Sequence, residues 1–105
     1  MKKMLLGLLL YVCWHSANSQ NTGVLFANSE MVRFPQAWQL DHGKRLYFGY
    51  SQGLGCLAML KVWEKTGDSK YLDYVVQWAD TIINEAGEIH LYKVETYNID
   101  YINPG

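Results

Sequence analysis

The chain has 105 residues, with nine basic against ten acidic side chains and a formal charge of −1, room for one domain at most. No run of lysine or arginine occurs, which argues against nucleic acid as a partner. The two cysteines, Cys13 and Cys56, are too few for a disulfide framework.

The first twenty residues, "MKKMLLGLLLYVCWHSANSQ", read as a leader. Lys2 and Lys3 precede an apolar run from Met4 to about Trp14, and small residues follow at Ala17 and Ser19 with the spacing a signal peptidase prefers. The run is shorter than the roughly 20 apolar residues a spanning helix needs. Residues 1–19 are therefore expected to be a cleaved signal, giving an exported protein, periplasmic or secreted, with no stable membrane insertion. A lipoprotein reading through Cys13 is disfavoured because bulky Val12 stands where a small residue is wanted. Without Lys2 and Lys3, seven basic residues face ten acids, a formal −3. Cys56, among Leu54, Leu57 and Leu60, then reads as a small buried apolar residue.

Next, "NTGVLFANSEMVRFPQAW" predicts a short helix that Pro35 ends, because proline disfavours the helical state of the residue before it. A loop follows through "QLDHGKRL". The stretch "YFGYSQGLGCLAMLKVWEKTG" is apolar on nearly every side, the pattern of a helix buried among other elements. Gly67 is its expected stop and Asp68 the N-cap of the next helix. That helix, "SKYLDYVVQWADTIIN", is one-sided. Tyr71, Val75, Trp78 and Ile82 form a stripe, flanked by Leu72, Val76, Ala79 and Ile83. Asp73, Gln77, Asp80, Thr81 and Asn84 lie opposite. After a turn at Gly87, alternation through Ile89, Tyr92 and Val94 predicts a short extended ribbon near 87–95.

The expectation is an all-α fold: a helical hairpin with a buried inner helix and a half-exposed outer one. Such a pair cannot close a core alone and needs further pairs beside it, as in toroidal and repeat α-folds. The run "YNIDYINPG", Tyr97 to Gly105, reads as the opening of another helix, with Asn98 and Asp100 as capping residues and Pro104 suited to a first turn. The expectation is thus that residues 20–105 are the N-terminal part of a larger domain.

Three stretches carry a family resemblance: "RFPQAW" (Arg33 to Trp38), "WEKTGDSKYLDYVVQWADTII" (Trp63 to Ile83) and, most specific, "IHLYKVETYNIDYINPG" (Ile89 to Gly105). Together they resemble the unsaturated-uronyl hydrolases of glycoside hydrolase family 105, with family 88 a more distant cousin. The resemblance implies a six-hairpin (α/α)6 barrel with a sugar pocket at one end. It also implies hydrolysis of an unsaturated uronic acid at the non-reducing end of lyase-generated pectin-type oligosaccharides. No cofactor or metal is called for, and the implied partner is an oligosaccharide substrate. Asp100 matches the first of the family's two active-site aspartates, so the resemblance makes it an assisting, substrate-binding carboxylate. The proton donor is expected beyond Gly105, which would leave the 105-residue chain inactive by itself.

By position, "YFGYSQGL" matches a pocket wall where many members carry Trp-x-Tyr-x-His-Gly. Here the residues are Phe48, Tyr50, Gln52 and Gly53, so Tyr50 is retained while Phe48 and Gln52 depart from the pattern. Phe48, Tyr50, Gln52 and Asn98 are the candidate substrate-binding residues. The plain structural alternatives are a turn or cap for Asp100 and Asn98 and a packed aromatic for Tyr50. His42 and His90 lack partners at ligand spacing and read as loop residues. A different class of function also stays open, a non-catalytic helical-repeat or sugar-binding module, for which the Thr66-Gly67-Asp68 hairpin would suffice.

Overall fold

A computed structural model describes residues 22–41 and 43–101, the Tyr101 side chain excepted. The leader with Cys13, His42 and the closing residues 102–105 lie outside the described residues. Three helices carry the fold: α1 (22–33), α2 (Tyr50–Thr66) and α3 (Ser69–Ile82). Short 3-10 turns occur at Ala37–Gln39, Val94–Thr96 and Ile99–Tyr101.

Local chemistry sets the boundaries. The Phe34 amide makes the final helical bond of α1, to the Glu30 carbonyl at 2.8 Å, and Pro35, with no amide hydrogen, continues nothing. Gly67 ends α2 in the left-handed region, φ 69°, with its amide donating to the Trp63 carbonyl at 2.8 Å, a conformation that costs a β-carbon-free residue little. One residue on, the Asp68 carboxylate accepts from the Lys70 amide at 3.1 Å and starts α3. The stop and the cap fall where the sequence places them.

The hairpin core combines Cys56 and Met59 of α2 with Tyr71, Tyr74, Trp78 and Ile82 of α3, joined by Ala27, Ala37, Leu40 and Phe48. Two buried tyrosines tie α3 to α1. Tyr71 donates to the Asn28 side-chain oxygen at 2.9 Å, and Tyr74 donates to the Phe34 carbonyl at 2.7 Å. The turn after α1 docks on α2 because Gly55 has no side chain: a β-carbon there would come within 2.7 Å of Leu40 Cδ2. Gln52, fully buried, donates from Nε2 to the Leu40 carbonyl at 3.1 Å and so satisfies that carbonyl inside the core.

Two details differ from the sequence expectation. Helix α2 is buried on one face only, and Leu54 and Leu57 are each 51% exposed on the other. The described residues supply only α1, its following turn and α3 to cover it. The stretch near 87–95 is not a ribbon: a single antiparallel bridge joins Ile83 to Ile89. Left-handed Leu91 (φ 65°) and Tyr97 (φ 46°) turn the backbone instead, and side-chain direction alternates only while the backbone stays extended. Among the described residues, no helix is long and apolar enough to cross a membrane.

Burial pushes the Cys56 thiol up to about 12 from 9.0. Burial first, then the charges of Cys56 and Glu30, pushes the Tyr74 phenol up to about 12 from 10.0. Both raised groups favour the neutral folded form, so their contribution is complete below the unfolded values and is lost as pH climbs towards the folded ones. The urea midpoint is expected to hold to about pH 9 and then fall towards pH 12. The combined Cys56→Ala, Tyr74→Phe variant, though less stable at neutral pH, should flatten that alkaline limb. An unchanged limb would exclude these groups as its source.

Candidate active site

The hairpin sets the working end. Helix α2 runs away from Tyr50, the chain reverses at Gly67–Asp68, and α3 returns to Ile82. The loop before α2 and the segment after α3 therefore meet at one end. Phe48 locks them together. It is 3% exposed, its ring stacked on Trp78 (centroids 6.3 Å apart, planes at 17°) and met edge-on by Tyr92 at 6.1 Å.

Beyond α3 the backbone is held by Asn84. Its side-chain oxygen accepts from the amides of Ala86 (3.0 Å) and Glu88 (2.9 Å), and its amide nitrogen donates to the Glu88 carboxylate at 2.9 Å. The His90 amide then donates to the Ile82 carbonyl at 2.7 Å. Thr96 closes a further turn, both its amide and its hydroxyl donating to the Lys93 carbonyl. The last described turn carries Asp100.

Asp100 is exposed, and its amide donates to the Asn98 side-chain oxygen at 3.0 Å. Asn98 thus shapes the turn that presents the carboxylate. Tyr50 is 49% exposed and lines a groove of about 300 Å³ with Phe26, Glu30, Asp41 and Leu54. Phe48 and Gln52 sit in the interior, the first in the aromatic stack and the second on the Leu40 carbonyl. Among the described residues no hydrogen bond joins Asp100 to Tyr50 or Gln52. A second cleft, about 490 Å³, opens between residues 45–47 and 90–96 and is lined by Arg45, Tyr47, His90 and Lys93. No group of three metal-ligating side chains occurs among the described residues.

Sequence reasoning missed Asn84, which pattern alone placed on the polar face of α3, and Tyr74, which lies beside the expected stripe. It also missed Arg45 and Lys93, far apart in the chain and without a shared motif. An Asn three residues before a Gly is the one signal that could have flagged the turn at Asn84.

The packed all-α hairpin is that of a unit of the α/α toroid class. The sequence model of Glycosyl Hydrolase Family 88 matches residues 24–105. The chain therefore belongs to glycosyl hydrolase family 88, and its substrate class is carbohydrate. No curated protein and no solved structure matches it.

Phe48→Ala is expected to cost on the order of 3–5 kcal/mol by removing a buried aromatic. Amide exchange should accelerate most over residues 90–97. Equal acceleration across α2 and α3 would show that Phe48 serves the core generally and not the working end.

Proposed function

We propose that this family 88 chain is of the family 105 kind, an unsaturated rhamnogalacturonyl-type hydrolase. The reading rests on the "YNIDYINPG" run, inside the matched region, with Asp100 exposed on a turn formed by Asn98. A helical-repeat module has no reason to carry that run.

The substrate is the unsaturated uronic acid that a polysaccharide lyase leaves at a non-reducing end. A carboxylic acid delivers a proton to C4 of the C4=C5 enol ether, and positive charge develops at C5 and the ring oxygen. Water adds at C5 and loses its proton to a base. The resulting hemiketal opens, and the neighbouring sugar leaves as an alcohol. One carboxyl group can act as donor and then as base when a second carboxylate beside it keeps its pKa high. In this assignment Asp100 is that second carboxylate, binding sugar hydroxyls and holding the donor protonated. Tyr50 offers a ring face and a hydroxyl to the sugar. Asn98 positions Asp100, while Phe48 and Gln52 support the wall from behind. The leader pattern of residues 1–19 supports export, where lyase products of plant polysaccharide arise.

The test follows loss of the substrate's ultraviolet absorbance, which the conjugated double bond supplies, by the full-length protein. Asp100→Asn is expected to lower kcat by about 10²–10⁴-fold with an unchanged melting temperature. Asn98→Ala should give a smaller loss. Turnover within a factor of about two of wild type in Asp100→Asn, at 1.36 kcal/mol per decade far too small for such a role, would remove Asp100 from the mechanism.

A further inference from the structure

We propose that the cleft between residues 45–47 and 90–96 is an anion subsite that takes the carboxylate of an acidic sugar, so that the substrate is charged beyond the residue that reacts. This rests on the hydrolase reading above for what the sugar chain is, but not for the existence of the subsite. Arg45, His90 and Lys93 line the cleft, and no carboxylate is among its lining residues. The neighbouring grooves differ: one carries Glu30 and Asp41, another Asp80 and Glu88, a third Asp80 and Glu85. The two cations, Arg45 and Lys93, form no ion pair with another described residue. Ion pairs within 4.0 Å among the described residues are Arg33–Glu30, Lys61–Glu64 and Lys70–Asp68, none of them involving Arg45, His90 or Lys93.

Geometry adds to charge. The Arg45 guanidinium lies 5.7 Å from the centre of the Tyr47 ring, a contact that orients the planar fork without neutralising it. The Tyr47 ring lies close over Gly49, in space that a β-carbon at that position would occupy. The opposite wall is fixed by the His90 amide on Ile82 and by Thr96 on the Lys93 carbonyl. Tyr92, between His90 and Lys93, packs edge-on against Phe48 and joins this wall to the first. A guanidinium fork faces carboxylate geometry well, and Tyr47 with half-exposed Leu91 (47%) offers apolar surface to sugar C–H groups. Cations in a molecule of net negative charge also steer an acidic ligand to this one place. The same segment continues in sequence from Thr96 to the turn bearing Asp100.

The experiment measures binding of tetragalacturonate, and of its fully methyl-esterified neutral form, to the full-length protein by calorimetry. Wild type is expected to prefer the acid by about tenfold, the scale of one charge-assisted pair, with the preference shrinking as salt rises. The Arg45→Gln, Lys93→Gln double variant should lose the preference while binding the ester as before. Arg45→Lys, combined with wild-type Lys93, should keep part of it. Equal wild-type binding of acid and ester overturns the subsite, as does a preference that survives in the double variant or loss of both ligands together. Tighter binding of a sulfated neutral oligosaccharide than of the uronate overturns the carboxylate assignment. Charge-dependent binding without turnover of an unsaturated substrate sinks the hydrolase reading and leaves the subsite standing; turnover without charge-dependent binding does the reverse.

Discussion

The placement of Phe48 between Trp78 and Tyr92 governs everything at the working end of the molecule. A buried aromatic removes about 150–250 Å² from water, and each favourable ring pair adds about 0.5–1.5 kcal/mol. That is enough to hold a loop and a segment with little regular structure of their own. The arrangement has a cost, because the buried Trp78 Nε1 has no acceptor among the described residues, an omission of about 1–3 kcal/mol. Burial of the indole is worth a similar or larger amount, and the stacking comes in addition, so packing wins. The consequence is geometric. The loop carrying Arg45 and Tyr47, the segment carrying His90 and Lys93, and the approach to Asp100 all share one anchor on the last turns of α3.

The rest of the hairpin is arranged so that this anchor stands on firm ground. Tyr71 and Tyr74 send hydroxyls to α1 and its exit, Gln77 accepts from the Ala37 amide at 3.0 Å, and Gln52 satisfies the Leu40 carbonyl. Each bond joins segments far apart in sequence, and each closes off a polar group that would otherwise be costly inside an apolar core. Among the described residues, nothing covers the outer surfaces: Leu25 and Val32 on α1, and Leu54 and Leu57 on α2, stand well exposed. Apolar exposure on one side of a packed hairpin is what repeating α/α architectures show wherever a neighbouring hairpin stacks.

How much of this could be read from the chain depends on whether the signal was local. Pro35, Gly67 and Asp68 act within a turn of themselves, and the boundaries they set are where the structure has them. Helix α3 has a clean period, so its inner stripe was legible down to Tyr71, Trp78 and Ile82. Helix α2 is apolar on nearly every side, and a pattern with so little contrast cannot say which face is covered. The alternation near 87–95 looked extended because Ile89, Tyr92 and Val94 are spaced as in strands. Asn84, Gly87 and the left-handed Leu91 and Tyr97 instead bend the backbone through side-chain and turn bonds that periodicity does not see. At the site, Asp100 stood out only through the resemblance of its neighbourhood to a known family. The meeting of Arg45 with Lys93 arises from tertiary packing and left no trace in the sequence.

The two positions at which the chain departs from the wall pattern that the family resemblance implies, Phe48 and Gln52, both lie in the interior. Phe48 stands where the pattern has tryptophan, and a phenyl ring can be buried in the stack without an N–H that needs an acceptor. Gln52 stands where the pattern has histidine, and a neutral amide can be sealed at zero exposure with one donor on Leu40 and its oxygen accepting from the Ser51 hydroxyl at 3.2 Å. An imidazole in that place would be held in its neutral form by the cost of charging it in low dielectric. The Phe48 and Gln52 side chains lie behind the wall and out of contact with solvent. In the proposed reading, recognition then falls to the groups that remain exposed: the Tyr50 ring and hydroxyl, the Asp100 carboxylate, and the cations of the adjoining cleft. A site whose exposed polar groups include the Arg45 and Lys93 cations should depend strongly on the charge of its ligand.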